Sequence, residues 1–166
     1  MGKRMMKNLE MNNILCDDGE VSINAVKEIE KLLFVNFPSE YVNFISKHNT
    51  AYLKADVFDY DDPNRSDCFN SDGITFIDIT KIFNHIENIK SGEEPDWPIE
   101  YRFEDGLIPF GDNGGGDMIC FDYRNDKTTD DPPIVIWNHD MGLKHRVVFI
   151  ANNFEEFINM LHESED

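Results

Sequence analysis

The sequence predicts one α+β domain, in which helices pack against an antiparallel β-sheet. In the first half of the chain, apolar residues recur at three- to four-residue spacing, which is the period of an amphipathic helix. The C-terminal third instead holds four short apolar runs separated by Gly, Asp, Asn and Pro clusters, and such short connections favour antiparallel hairpins over helical crossovers. A length of 166 residues suits a single domain.

Three helices are predicted before the C-terminal strands. The first follows Ser22, a favourable N-cap, and the second begins at Pro38, whose missing N–H costs nothing in a first turn. The third is capped by Thr80 and ended by Gly92. Their inward stripes are Ile23, Val26, Ile29 and Leu33, then Tyr41, Phe44, Ile45 and His48, then Ile82, Phe83, Ile86 and Ile89.

Strands are predicted near residues 53–58 and 74–77, with a long polar loop between them. The four C-terminal apolar runs add strands at 107–110, 118–121, 134–137 and 147–150. Asn153 and Glu156 form a capping-box pattern that starts a last helix, whose apolar face holds Phe154, Phe157, Ile158 and Leu161. Residues 1–20 have weak periodicity and are predicted to be a weakly structured leader, followed by the domain at 21–166.

The apolar segments and the cysteines indicate where in the cell the protein is located. No stretch approaches the ~20 apolar residues of a membrane span, and the N-terminus lacks the apolar core of a secretion signal. Cys16, Cys68 and Cys120 are widely spaced without a C-x-x-C pair, so neither a disulfide framework nor a zinc site is indicated. These features predict a cytoplasmic protein with no membrane partner.

Charge is the least ordinary property of the chain. The 33 acidic residues outnumber 15 basic ones, and the formal net charge is −18. Most of the excess lies in three segments, 56–72, 93–105 and 112–131, whereas the first 49 residues hold seven acids and six bases. Such a concentrated negative field repels nucleic acid and attracts a basic protein.

Motifs for chemistry are absent or incomplete. Gly114, Gly115 and Gly116 lack the Lys and Ser/Thr of a phosphate-binding loop, and they are predicted to form a tight turn between strands. Pro63 interrupts the acidic run from Asp59 that resembles a calcium loop. The five histidines lack metal-binding spacing, and no nucleophile motif accompanies His139 and Asp140. No catalytic residue, cofactor or metal site is predicted, and the chain is not expected to be an enzyme.

Several strings, in this order and spacing, resemble the SUKH superfamily, which includes bacterial immunity proteins and Smi/Knr-type regulators of yeast cell-wall synthesis. The resemblance spans residues 23–161 and departs at Thr50, where the family often has Gly. The strings are Phe37-Pro38-Ser39-Glu40-Tyr41 with Phe44 and Asn49, Leu107-Ile108-Pro109-Phe110-Gly111, Gly115-Gly116-Asp117 with Phe121-Asp122, Val135 with Trp137, and Asn153-Phe154-Glu155-Glu156-Phe157.

The resemblance implies an immunity protein that binds and neutralises a cognate toxin, with the same α+β fold. The acidic segments predict a toxin with a basic surface, such as a nuclease, and aromatic residues among them suit a protein interface. The predicted partner-binding residues are Tyr60, Asp61, Asp62, Asp67, Glu93, Glu94, Asp96, Trp97, Asp112 and Asp117.

Two alternatives remain open from the sequence. One is a Smi/Knr-like regulatory scaffold in cell-wall or signalling assemblies. The other is an enzyme or small-ligand-binding domain, which a deep pocket lined by Asp117, His139 and Asp140 would favour.

Overall fold

A seven-stranded antiparallel sheet, with its strands in chain order, forms the centre of this computed structural model. Residues 6–63, 70–91, 106–140 and 145–165 are described. The strands are β1 (Ile14–Cys16), β2 (Tyr52–Tyr60), β3 (Asn70–Phe76), β4 (Leu107–Asp112), β5 (Met118–Asp122), β6 (Ile134–Trp137) and β7 (Val147–Ala151). The predicted α+β fold with an antiparallel sheet is therefore confirmed.

Four α-helices accompany the sheet in the described residues. They are α1 (Ile23–Leu33), α2 (Ser39–Lys47), α3 (Ile82–Ser91) and α4 (Phe154–Met160). The side chain of Ser22 accepts a hydrogen bond from the Ala25 N–H, and that of Asn153 accepts one from the Glu156 N–H. The predicted N-caps Ser22 and Asn153 are confirmed, because each supplies an oxygen to a first-turn N–H that would otherwise be unpaired.

The start of α3 differs from the prediction. A 3₁₀ turn (Ile79–Lys81) precedes the helix, and its cap is Asp78, whose carboxylate accepts hydrogen bonds from the Thr80 N–H and hydroxyl. Thr80 was predicted to be the N-cap, but the N-cap is Asp78, and Thr80 donates hydrogen bonds to it. Ile82 is buried, but Phe83, predicted to face inward, keeps 38% of its surface exposed.

An aromatic cluster joins α2 and α4 to the sheet. The rings of Phe110 on β4 and Phe121 on β5 stack with centroids 4.2 Å apart. Tyr41 from α2 contacts them edge-on at 5.9 and 5.0 Å, and Phe154 from α4 lies 5.9 and 6.0 Å from the same two rings. Such edge-to-face contacts add to the area buried, so the pair anchors both helices.

The two ends of the sheet matter for the site. We call the end where β4 stops and β5 starts the near end, and the end where β5 stops and β6 starts the far end. Thr75 pairs with Asp112, whereas Tyr60 pairs with Asn70. The β2–β3 hairpin therefore extends about five residues, ~16 Å, past β4 at the near end.

The N-terminal segment covers the outer edge of β2. Ile14 and Cys16 pair with Leu53 and Tyr52, and the Asn8 amide donates to the Ile158 and Leu161 carbonyls at the end of α4. The predicted boundary at residue 20 stays a prediction. Among the described helices, none has the length and apolar character required to cross a membrane.

Candidate functional site

The near end of the sheet gathers the predicted binding residues that the structure describes. Asp61 and Asp62 follow β2, Asp112 ends β4, and Asp117 immediately precedes β5. Tyr60 is the last residue of β2. The other predicted residues, Asp67, Glu93, Glu94, Asp96 and Trp97, lie outside the described residues.

Burial divides these residues into two groups. Asp61 is exposed, and Asp112 and Asp117 are half-buried. Asp62 keeps only 1% of its surface exposed, and Tyr60 keeps 5%. Asp61, Asp112 and Asp117 can therefore meet a partner directly, whereas Tyr60 and Asp62 lie beneath the surface.

The turn that carries Asp117 is held by its own side chains. The carboxylate of Asp112 accepts from the Gly114 N–H, and the Asn113 side-chain oxygen accepts from the Gly115 and Asp117 N–H groups. Gly114 and Gly116 have φ values of +80° and +104°, which favour glycine. The glycines thus form a tight turn between β4 and β5, as the sequence indicates.

Gly116 is also required for close packing. A Cβ atom built there would lie 2.9 Å from the His139 ring carbon Cε1. Any other residue would displace the imidazole, so the glycine permits His139 to reach Asp117.

A hydrogen-bond network connects five side chains across strands β2 to β6. The Tyr60 hydroxyl donates to Asp72 at 2.7 Å, and the Asn113 amide donates to both Asp72 and Asp117 at 3.2 and 3.0 Å. Asp117 Oδ1 lies 2.6 Å from His139 Nδ1 and accepts from the His139 N–H at 2.9 Å. The network fixes Asp72 and Asp117 as a rigid acidic platform.

Sequence reasoning missed Asp72 and Asn113 as members of this site. Asp72 lies on β3 and Asn113 follows β4, and their side chains meet although they are 41 residues apart. The only signal in the sequence was the position of Asp72 inside an acidic segment, because contact across strands leaves no local pattern.

The third acidic segment does not form a single surface. Asp112 and Asp117 precede β5 at the near end, whereas Asp126, Asp130 and Asp131 follow it at the far end. Five residues of β5 separate the two groups by ~17 Å. The described acids at the near end include Asp59, Asp61, Asp62, Asp72, Asp112, Asp117 and Asp140.

Asp117, His139 and Asp140 also offer metal-ligand atoms, which all lie within 4.8 Å of one another. Hydrogen bonds to Asp117 already account for the position of His139 without an ion. His139 and Asp140 are exposed, so these three side chains lie at the surface and not in a deep pocket.

Cys120, which lies in the centre of the sheet, is unsuited to nucleophilic chemistry. Cys120 on β5 is fully buried, and burial strongly raises the pKa of its thiol. A buried neutral thiol is inert because the thiolate is the reactive form. Cys16 is exposed, and Cys68 lies outside the described residues.

Known proteins resemble this chain over most of its length. Residues 20–160 match the SMI1 / KNR4 family (SUKH-1). The chain is also similar to the SPbeta prophage-derived uncharacterized protein YokK of Bacillus subtilis (strain 168), at 28% identity over 148 residues, which cover 82% of this chain and 74% of that protein. The matched stretch runs from just before α1 to the end of α4 and contains the whole near-end network. The protein therefore belongs to the SMI1 / KNR4 family (SUKH-1).

Proposed function

We propose that this protein is an immunity protein, which binds a cognate toxin through the near end of its sheet and blocks the toxin without chemistry of its own. Bacterial immunity proteins are known in the SUKH superfamily, which supports this class of function. The observation that carries the proposal is the convergence of Asp61, Asp72, Asp112, Asp117 and Asp140 at one end of the sheet.

The shape of this end suits a protein partner. The β2–β3 hairpin rises beyond the end of β4 and carries Asp72, while the β4–β5 turn and the end of β6 present Asp112, Asp117 and Asp140 beside it. A partner that packs against the side of the hairpin would contact carboxylates from the hairpin and also those from the β4–β5 turn and the end of β6.

Electrostatics then defines the partner. Clustered carboxylates raise the association rate of a cationic protein by ~10–10³ when the two potentials are complementary. A nuclease toxin fits because its active-site cleft must be basic to bind phosphates. The immunity protein would occupy or cover that cleft and exclude the nucleic acid.

The test is a growth assay in which this chain is co-expressed with the protein encoded by the neighbouring gene, together with the association rate measured on the purified proteins. The near-end variant is Asp61→Lys/Asp140→Lys, because both side chains are exposed. We expect it to associate at least ~10-fold more slowly, with a weaker dependence on salt, and to rescue growth poorly.

The matched control is Asp130→Lys/Asp131→Lys at the far end, which changes the net charge equally. We expect it to associate and rescue like the unmodified protein. Equal losses in both variants would reject the near end as the binding site. If the neighbouring protein is not toxic, or the chain does not bind it, the immunity function is wrong and a regulatory scaffold is favoured.

A further inference from the structure

A second surface, distant in sequence from the acidic segments, is defined by Phe34 at the end of α1. Phe34 adopts a left-handed conformation, with φ 59° and ψ 37°, and keeps 85% of its surface exposed. Glycine normally occupies this position after a helix because it has no Cβ to strain the backbone. A bulky aromatic residue here is both strained and in contact with water.

The described residues leave most of the Phe34 side chain uncovered. The Phe34 N–H donates to the Glu30 and Lys31 carbonyls and so caps α1, but the exposed phenyl ring gains little from its neighbours. The adjacent Leu32 is 64% exposed, and Phe83 on α3 is 38% exposed. Together these side chains form an apolar patch on a chain whose surface is otherwise strongly acidic.

A groove of about 400 Å³ lies beside the ring. Its apolar lining includes Leu33, Val35, Phe83 and Ile86. Phe34 itself lines this groove and keeps 85% of its surface exposed. Each molecule therefore has an exposed aromatic ring next to an apolar groove.

The charges around the groove favour another copy of this chain. Glu87, Lys90 and Lys127 line it, so its rim carries charges of both signs. A rim with both signs is self-complementary under two-fold symmetry, because the acid of one copy can face the base of the other. Elsewhere the net charge of −18 makes two copies repel, whereas α1 belongs to the nearly neutral first 49 residues.

We propose that two copies associate through this patch, with Phe34 of each copy inserted into the groove of the other. The patch is small for a protein interface, so the dimer is weak and forms at high micromolar concentration or above. The acidic near end of the sheet is separate from this patch, and the dimer does not depend on the proposed immunity function.

The test is sedimentation equilibrium of the full chain over about 10 µM to 1 mM, a range matched to weak interfaces. We expect the weight-average mass to rise with concentration above the monomer mass of 19.3 kDa. In the variant Phe34→Gly the dissociation constant should rise at least ~10-fold. Its thermal midpoint at low concentration should rise by ~2–4 °C, because glycine relieves the backbone strain.

Thr50→Gly is the matched control. Thr50 is the other non-glycine residue with positive φ among the described residues, at 58°, and it does not line the groove. We expect it to raise the thermal midpoint in the same way and to leave dimerisation unchanged. A chain that stays monomeric throughout, or a dimer that Phe34→Gly does not weaken, would overturn the proposal.

Discussion

Glu30 shows how one buried charge can set the connection between two helices. It lies on α1 with 5% of its surface exposed, and its carboxylate accepts a hydrogen bond from the Phe37 N–H at 2.6 Å. Lys27 lies 3.0 Å from its other oxygen. Because Phe37 begins the motif that leads into α2, this carboxylate positions the helix that carries Tyr41 into the core.

We expect Glu30→Ala to lower the free energy of unfolding by about 2–3 kcal/mol, because it leaves the buried Phe37 N–H without a partner. Glu28→Ala is a matched control, since Glu28 forms an exposed ion pair with Lys31 on the same helix. Exposed pairs of this kind contribute ~0–1 kcal/mol. Urea denaturation measures both. Equal losses in the two variants would show that Glu30 acts only as a surface charge.

Thr50 gives a second view at the residue scale. The family often has glycine at this position, and the structure keeps the left-handed turn with threonine, at φ 58°. The Thr50 hydroxyl is also buried without a hydrogen-bond partner in the described part of the chain. The departure in sequence therefore changes the local strain and leaves the turn itself unchanged.

Among the structural elements, the segment between β1 and α1 is fastened to the end of α2. The Asp18 N–H donates to the Asn49 carbonyl, and the Asn49 N–H donates to the Gly19 carbonyl. Asp17 Oδ2 lies 2.8 Å from His48 Nδ1. The hydrogen bond from His48, and then that from the Gly19 N–H, lower the pKa of Asp17 below its usual value.

A lowered carboxyl pKa gives a defined dependence of stability on pH. Its contribution is fully present above the unfolded-state pKa, near 3.9, and disappears as the pH falls through the lower folded-state value. We therefore expect Asp17→Asn to be less stable than the unmodified protein at pH 6, with the difference shrinking as the pH falls below about 4. Urea midpoints at several pH values measure this.

Asp18→Asn is the control for this prediction, because Asp18 is exposed and its side chain makes no described hydrogen bond. It should change stability little over this pH range. A difference for Asp17→Asn that stays unchanged as the pH is lowered from about 4 to about 2 would mean that the side chain acts through packing and not through its charge.

The elements also show which parts of the fold can be predicted from sequence. The strands from 107 to 151 follow from local apolar runs, since buried strands in a sheet need such runs whatever their partners. The pairing of β1 does not, because Ile14 and Cys16 become a strand only by meeting β2. Phe83 was misplaced because it directly follows the buried Ile82, and adjacent residues on a helix point about 100° apart and do not share a face.

The candidate site could also be predicted only in part from the sequence, for a different reason. Acidic composition predicted a binding surface, but antiparallel strands reverse direction at every turn, so acids on either side of β5 reach opposite ends of the sheet. The contact of Asp117 with His139 joins residues 22 apart through the pairing of β5 with β6. Composition alone carries no information about which strand ends meet.

For the whole molecule, the dominant property is a net charge of −18 on a single small domain. Exposed carboxylates at both ends of the sheet are held closer together in the folded chain than in the unfolded one. Their mutual repulsion therefore destabilises the compact state. Dissolved salt screens this repulsion, because the Debye length falls from ~20–30 Å at low salt to ~4–5 Å near 0.5 M.

We expect the free energy of unfolding at pH 7 to increase by about 1–2 kcal/mol between about 20 mM and 0.5 M NaCl. The control is the same experiment near pH 4.4, the isoelectric point expected from the sequence, where the net charge is close to zero and salt should have little effect. Urea denaturation at each salt concentration measures both series. A loss of stability with salt at pH 7 would show that attractive pairs such as Lys27–Glu30 outweigh the repulsion, and that the clustered carboxylates are locally compensated.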